Sequence, residues 1–198
     1  MISVASIDSV PAELGSTVVT IGKFDGIHLG HQALIAETVN IAEEHMLVPA
    51  LITFDKHPGS YLDPKTSPFP LIGPTQKAEL LEEAGIELLV TLSFGEALAG
   101  LSAREFVEQV LVQGLNAKAL VVGEDFKFGS GQEGDVNTLR DLGLELGFTV
   151  LLVPSVEVDG VRVSTTHIRN LLEVGDVKSA AKFLGRLHCT RGEVEHGL

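Results

Sequence analysis

Two histidines near the start of the chain stand in a setting that suits phosphate chemistry. The stretch TIGKFDGIHLGHQALI, residues 20–35, places His28 and His31 on either side of Gly30, between an apolar run and a helical pattern. Residues at positions i and i+3 of a helix share one face. A helix start offers free N–H groups and a positive partial charge, which together bind phosphate. The pattern therefore predicts two imidazole donors beside a phosphate group.

Two other interpretations of the histidine pair remain open at this point. Histidines at this spacing begin some zinc sites, although no cysteine lies nearby in the sequence and no third ligand is evident. The pair also fits a solvated helix start. The turn-forming residues Gly22, Asp25 and Gly26 favour the phosphate interpretation, because glycine lets the backbone turn and approach a ligand closely.

Composition and charge restrict the class of protein. The chain has 198 residues and a hydrophobic content of 44%, which suit one globular domain with a sizeable core. Its net charge of −13 disfavours binding to nucleic acid or to an anionic membrane. The single cysteine, Cys189, excludes an intrachain disulfide, and the N-terminal residues lack the pattern of a signal peptide. We therefore expect a cytoplasmic protein, with neither nucleic acid nor a membrane as a partner.

Short apolar runs alternate with helical patterns along the chain. Such runs are typical of strands buried on both faces of a parallel sheet, and they lie at Ser16–Gly22, Val48–Phe54, Ile86–Leu92, Lys118–Gly123 and Phe148–Pro154. A helix is predicted over His31–His45, and another is opened by a Ser102/Glu105 capping box and closed by Gly114. The predicted fold class is α/β, a doubly wound, mainly parallel sheet that binds its ligands at the carboxyl ends of the strands.

The glycine-rich segment after the fourth predicted strand contains a misleading motif. Gly129, Gly131 and Gly134 spell G-x-G-x-x-G, the dinucleotide fingerprint, which must follow a strand at once and open a helix. Here the predicted strand ends at Gly123, and the carboxylate of Glu133 would repel a pyrophosphate. We therefore reject a dinucleotide site in this segment.

Four segments of the sequence occur in the order of a known family. They are GKFDGIHLGH (residues 22–31), TFDKHP (53–58), VVGEDFKFG (121–129) and VSTTHIRNLLEVGDVKSAAKFLGR (163–186). Together they resemble the FMN adenylyltransferase domain of bacterial bifunctional riboflavin kinase/FAD synthetases, which belong to the HxGH nucleotidyltransferase superfamily. Lys56 replaces the proline usual in that family, and Thr165 stands where serine is commoner. The resemblance implies a Rossmann-like parallel sheet.

The resemblance also implies an activity and a set of site residues. The expected enzyme transfers AMP from ATP to FMN and releases FAD and pyrophosphate, with Mg²⁺ accompanying ATP and no metal held by the protein alone. The implied catalytic residues are His28, His31, Ser164 and Arg169. The implied ATP-binding residues are Gly22, Phe24, Asp25, Gly26, Gly30, Gly123, Asp125, Thr165 and Thr166. The implied FMN-binding residues are Phe54, Lys56, His57, Phe106, Phe126 and Phe128.

Alternatives and domain limits complete the expectations. The chain is also compatible with another HxGH transferase, acting on phosphopantetheine or a nicotinate nucleotide, or with a flavin- or nucleotide-binding protein that lacks turnover. Residues 1–186 are expected to form the adenylyltransferase domain. Residues 187–198 resemble the start of a riboflavin kinase domain whose other motifs are not in this sequence. We therefore expect no phosphorylation of riboflavin by this chain.

Overall fold

The computed structural model of the chain describes residues 1–56 and 69–192. Its strands are β1 (Ile2–Val4), β2 (Thr17–Ile21), β3 (Val48–Phe54), β4 (Leu88–Leu92), β5 (Ala117–Gly123), β6 (Thr149–Val153), β7 (Glu157–Val158) and β8 (Val161–Arg162). Its α-helices are α1 (Leu29–His45), α2 (Pro74–Glu83), α3 (Glu96–Ala99), α4 (Ala103–Glu105), α5 (Val136–Leu146), α6 (Thr165–Glu173) and α7 (Val177–Leu184). Helix α4 continues as a π-helix over Phe106–Gly114, and 3₁₀ turns lie at Ile7–Ser9 and Ser130–Gln132.

In the described residues, six strands form one parallel sheet in the order β1-β4-β3-β2-β5-β6. Strands β3 and β4 follow β2 towards one edge, whereas β5 and β6 follow it towards the other. The strand order therefore reverses between β2 and β5. In an open α/β sheet this switch point leaves a crevice beyond the carboxyl ends of the strands, where ligands bind. The α/β class predicted from the sequence is confirmed.

Different helices cover the two faces of the sheet. On one face, the fully buried Leu120 of β5 belongs to a core that includes Leu111 of the π-helix and Leu139 of α5. On the other face, Leu51 of β3 packs against apolar side chains of α1 and α2. Because both faces are covered, the central strands are apolar at nearly every position, which is why they are visible in the sequence as continuous apolar runs.

Side-chain caps set the starts of several helices. Ser102 and Glu105 form the predicted capping box, in which Glu105 accepts from the Ser102 N–H at 2.9 Å. Asp135 accepts from the Asn137 and Thr138 N–H groups at the start of α5, and Ser164 accepts from the His167 N–H at the start of α6. These short-range bonds satisfy N–H groups that have no partner within the helix.

Three differences from the sequence-based expectations concern two strand regions and Gly114. Strand β1 was not predicted, because it has only three residues and is mostly exposed at the sheet edge. The β7–β8 hairpin was also missed, since its strands have two residues each. Gly114 does not follow the helix as a left-handed cap: it is the last residue of the π-helix, and Asn116 takes the left-handed conformation instead (φ 46°). A Cβ on Gly114 would lie 2.3 Å from Cγ2 of Ile7, so close packing explains this glycine.

The glycines of the rejected G-x-G-x-x-G motif also serve packing. Helix α5 begins only at Val136, beyond the motif. A Cβ on Gly129 would lie 2.7 Å from the backbone nitrogen of Ala103, and one on Gly134 would lie 2.8 Å from the ring of Phe128. The carboxylate of Glu133 accepts from the Ala103 N–H at 2.8 Å. This segment therefore holds the start of α4 rather than a pyrophosphate.

This packing role predicts unequal effects of two alanine substitutions. Gly129 (φ 76°, ψ 172°) and Gly131 (φ 62°, ψ 12°) both have a positive φ, but nothing lies within 4 Å of a Cβ on Gly131. Gly131→Ala should therefore lower the free energy of unfolding only by the backbone strain, about 1 kcal/mol. Gly129→Ala adds a clash with backbone, and we expect it to cost at least about 2 kcal/mol. Urea denaturation of both variants measures the difference, and equal losses would contradict the packing role.

Candidate active site

The loop between β2 and α1 has an unusual backbone. Phe24 (φ 48°), Gly26 (φ 81°) and Ile27 (φ 40°) are all left-handed, which is costly for bulky residues without compensation. Phe24 and Ile27 are both buried, so the packing of their side chains offsets this cost. At Gly26 a Cβ would lie 2.9 Å from Cδ1 of Leu71, so only glycine fits without a shift.

The two histidines stack at the end of this loop. His28 is the N-cap of α1, and its Nδ1 accepts from the His31 N–H at 3.2 Å. The two imidazole rings lie 3.7 Å apart between centroids, at an angle of 12°. Gly30 makes room for this stack, because a Cβ there would lie 3.2 Å from Cε1 of His28. Since Nδ1 of His28 is an acceptor, its ring proton resides on Nε2.

Both imidazoles are neutral at pH 7. The pKa of His28 is lowered to about 4, mainly by burial; a hydrogen bond to the His28 backbone opposes this shift, and the positive charge of Arg186 adds to it. Burial also lowers the pKa of His31 well below its usual value, with further contributions from His28 and Lys77. Within residues 1–56 and 69–192, Nδ1 of His31 is buried without a hydrogen-bond partner.

A cleft of about 650 Å³ opens beside the histidines at the switch point of the sheet. His28 and His31 line one side, Gly123 ends β5, Asp125 follows that strand, and Ser164 and Thr165 open α6. The N-termini of α1 and α6 therefore border the same space, and each contributes a positive partial charge and free N–H groups.

Arg169 binds protein groups in this structure. Its Nη2 lies 3.0 Å from Oδ2 of Asp25, and its Nε donates to the Phe69 carbonyl at 3.3 Å. Oδ1 of Asp25 accepts from the Leu71 N–H at 2.7 Å, and the Asp25 carbonyl accepts from the Thr165 hydroxyl at 3.2 Å. Asp25 thus ties the β2–α1 loop to α6 and to the residues that precede α2. The contact of Arg169 with a triphosphate stays a prediction.

The other predicted ATP-binding residues lie partly in the cleft and partly beneath or outside it. Gly30 lines the cleft with the histidines. The ring of Phe24 is buried and lies 4.9 Å from that of His31, so it supports the imidazole from below the cleft surface. A Cβ on Gly22 would lie 3.1 Å from the Phe24 ring. Thr166 is exposed in the first turn of α6 and is not among the residues that line the cleft.

Three of the predicted flavin contacts, Phe106, Phe126 and Phe128, form an aromatic cluster near the carboxyl end of β5, whereas the ring of Phe54, at the end of β3, lies 5.6 Å from that of Phe94. The rings of Phe126 and Phe128 stack at 5.6 Å, and Phe106 lies 6.0 Å from Phe128. Phe106 and Phe128 are buried in the core beneath α4 and α5, while Phe54 and Phe126 are partly buried against it. Lys56 is exposed after β3, and His57 lies outside the described residues.

Sequence reasoning missed Arg162 and the roles of two motif residues. Arg162 lines the cleft and forms an ion pair with Asp125 across it. The sequence offered one signal for this position: Arg162 is a cation two residues before Ser164, in a chain with a net charge of −13. In the TFDKHP segment, the Thr53 hydroxyl donates to the Lys23 carbonyl at 3.0 Å. The Asp55 carboxylate accepts from Ser93 and from the Phe94 N–H, both at 2.9 Å, and these bonds lower the pKa of Asp55.

Two further searches concern only residues 1–56 and 69–192. No group of three or more His, Cys, Asp or Glu side chains there has the arrangement of a metal site. No helix in the same residues has the length and apolar character needed to cross a membrane.

Known proteins match most of the chain. The sequence model of the FAD synthetase family matches residues 10–167. Bifunctional riboflavin kinase/FMN adenylyltransferases are 41% identical over 180 residues in Pseudomonas fluorescens and 36% identical over 190 residues in Bacillus subtilis (strain 168). These alignments cover 91% and 95% of this chain but 58% and 59% of the relatives. The chain therefore spans about three fifths of the length of the curated relatives it matches.

A solved structure gives the same fold. It is described as a macrolide-efflux protein from Streptococcus pneumoniae, with a TM-score of 0.87 at 31% identity over 100% of this chain and 64% of that one. The parallel sheet, its switch-point cleft and the paired histidines at a helix start agree with the resemblance to the class of HxGH nucleotidyltransferases seen in the sequence. Within that class, the chain belongs to the FAD synthetase family.

The low pKa of His28 predicts a pH-dependent contribution to stability. The unfolded chain binds a proton at His28 below pH 6.5 and the folded chain only below about 4, so the free energy of unfolding should fall as the pH drops through this window. His28→Asn keeps an N-cap acceptor but removes the titration. Between pH 6.5 and 4.5 we expect the wild type to lose about 2 kcal/mol more than the variant. Urea denaturation at these pH values measures how the free energy of unfolding of each protein changes with pH. Equal changes in the wild type and in His28→Asn would contradict a neutral imidazole at His28.

Proposed function

We propose that this protein is an FMN adenylyltransferase, which transfers AMP from ATP to FMN and releases FAD and pyrophosphate. The observation that carries the proposal is the neutral, stacked histidine pair at the start of α1, with the Nε2 proton of His28 available beside the cleft. Membership of the FAD synthetase family supports it, as do relatives that are named FMN adenylyltransferases.

The reaction needs charge stabilisation more than a base. An oxygen of the FMN phosphate attacks the α-phosphorus of ATP, and the bond to the bridging oxygen breaks as pyrophosphate leaves. The nucleophile is already anionic, so the protein need not remove a proton from it. Negative charge grows on the α-phosphate oxygens and on the departing pyrophosphate. Donors held in place towards these oxygens lower the barrier without having to reorganise.

The residues of the cleft divide this task. His28 donates from Nε2 to the α-phosphate, and His31, which stacks against it and lines the same cleft, keeps it in position. At the other side of the cleft, the backbone N–H groups at the start of α6 and the Ser164 hydroxyl receive the β- and γ-phosphates. Arg162 adds a guanidinium at that end when ATP replaces its contact with Asp125.

Mg²⁺ is proposed to accompany ATP rather than to reside in the protein. Mg²⁺ is commonly held by substrate phosphates and one or two carboxylates. The carboxylates of Glu124 and Asp125 line the cleft and fit that donor set. When bound, the ion neutralises charge on the phosphates.

The flavin is proposed to bind near the aromatic cluster, with Phe54 and Phe126 as partly buried walls and Lys56 as a cation after β3. Phe106 and Phe128, which are buried, would then shape the site from behind. Residues 1–186 are proposed as the adenylyltransferase domain, and residues 187–198 as a segment similar to the start of a riboflavin kinase domain.

A cytoplasmic location is part of the same proposal. Cys189, the one cysteine of the sequence, is free and exposed, as is usual where thiols stay reduced. The net charge of −13 supports small anionic nucleotides, held by local donors, rather than nucleic acid or an anionic membrane as the ligands.

The proposal predicts formation of FAD from FMN, and loss of this activity when the His28 donor is removed. The purified protein is incubated with ATP, Mg²⁺ and FMN, and the flavins are separated by chromatography. Riboflavin, which lacks the attacking phosphate, is the control substrate and should give no FAD. His28→Asn, which keeps the helix cap, should lower kcat on the order of 10²-fold or more.

Other outcomes would contradict the proposal. Binding of ATP without product from FMN would favour a nucleotide-binding protein, and product from phosphopantetheine or nicotinate mononucleotide alone would favour another transferase. Near-wild-type turnover by a folded His28→Asn protein would remove His28 from the reaction.

A further inference from the structure

A lysine outside every motif reaches the loop that carries the histidines. Lys77 lies in the first turn of α2, and its half-buried side chain extends to the end of β2. Its Nζ donates to the Lys23 carbonyl at 2.7 Å and lies 3.5 Å from the Thr53 hydroxyl. The Thr53 hydroxyl donates to the same carbonyl at 3.0 Å. Two donors from different elements therefore converge on one backbone oxygen.

The position of the Lys23 carbonyl oxygen explains why its hydrogen bond with Lys77 matters for the histidines. The Lys23 carbonyl belongs to the peptide that enters Phe24, the first left-handed residue of the loop. The buried ring of Phe24 lies 4.9 Å from the ring of His31. If this peptide rotates, Phe24 moves, and with it the support of His31. A left-handed conformation at a bulky residue persists only where the surroundings hold it.

The charge of Lys77 also reaches His31. The positive charge of Lys77 is one of the causes that lower the pKa of His31. Burial lowers the pKa of Lys77 itself, and the negative charge of Asp25 opposes that shift. Charged or titratable groups face this centre from several elements. They are His28 at the start of α1, Lys23 and Asp25 in the loop, Lys77 on α2, Arg169 on α6 and Arg186 after α7.

We propose that Lys77 is a positioning residue for adenylyl transfer: its ammonium group holds the Lys23 carbonyl, fixes the left-handed turn at Phe24 and so keeps His31 in place against His28. The inference rests on the proposed function, because it concerns the same reaction. Lys77 is not among the residues that line the cleft. Because it acts through the loop, its loss should affect turnover more than substrate binding.

The test compares three lysine variants in the FAD-forming assay. Lys77→Met keeps the length and apolar part of the side chain but removes the donor and the charge. Lys77→Arg keeps both. Lys118→Met, at an exposed lysine near the start of β5, is the matched control. Wild-type FAD formation is measured first, and its absence would contradict the proposed function rather than this inference.

The expected result is a separation of kcat from KM. Small displacements of catalytic groups are costly, so Lys77→Met should lower kcat by about 10- to 100-fold while the KM values for ATP and FMN change less than about threefold. Lys77→Arg should recover a large part of kcat, and Lys118→Met should match the wild type. Loss of the cation beside His31 should also move the acid limb of the kcat–pH profile to higher pH in Lys77→Met but not in Lys77→Arg.

Three outcomes would overturn the inference. One is a Lys77→Met protein with wild-type kcat. Another is a Lys77→Met protein whose KM for ATP or FMN rises at least as much as kcat falls, since that would mean a direct substrate contact. A Lys77→Arg protein no more active than Lys77→Met would also contradict it.

A second variant keeps the test decisive if Lys77→Met does not fold. Thr53→Val removes the other donor to the Lys23 carbonyl while it leaves Lys77 in place. It should lower kcat in the same direction, with little change in either KM. Where both single variants fold, the double variant should lose less than the product of the two effects, because both groups hold one carbonyl. A wild-type kcat in Thr53→Val would count against the role of this carbonyl.

Discussion

The left-handed turn between β2 and α1 is the constraint on which the site depends. Phe24 and Ile27 adopt backbone angles that bulky residues avoid, and the buried positions of their side chains offset the strain. The turn delivers the chain to His28 at the N-cap of α1, where the two imidazoles stack and stay neutral. Without this turn, the start of α1 would not follow the end of β2 in the orientation that stacks the two histidines.

Cations from distant parts of the chain hold this turn in place. Lys77 donates to the Lys23 carbonyl, Arg186 donates to the carbonyls of Gly26 and Ile27, and Arg169 pairs with Asp25. The chain has only 14 lysines and arginines against 27 acidic residues. Several of these few cations thus converge on one loop, where they satisfy buried carbonyls and raise the local positive potential beside a site for phosphates.

Much of the fold was predictable because its signals are local. Five sheet strands were predicted within two residues of their ends, since strands buried on both faces are continuously apolar. The Ser102/Glu105 capping box was readable for the same reason, as both partners lie within one turn. Edge strand β1 and the β7–β8 hairpin were not, because two or three residues carry no periodicity.

The sequence by itself determined the class of fold, the spacing that brings His28 and His31 together, and the polar start of α6. Each depends on residues a few positions apart. Only the tertiary structure decided where the long cationic side chains lie: Arg169 reaches Asp25 across 144 positions, and Lys77 reaches Lys23 across 54. Arginine and lysine have flexible chains and bind whichever oxygen folding brings near, so their partners follow from the packing of α2 and α6 and not from the local pattern.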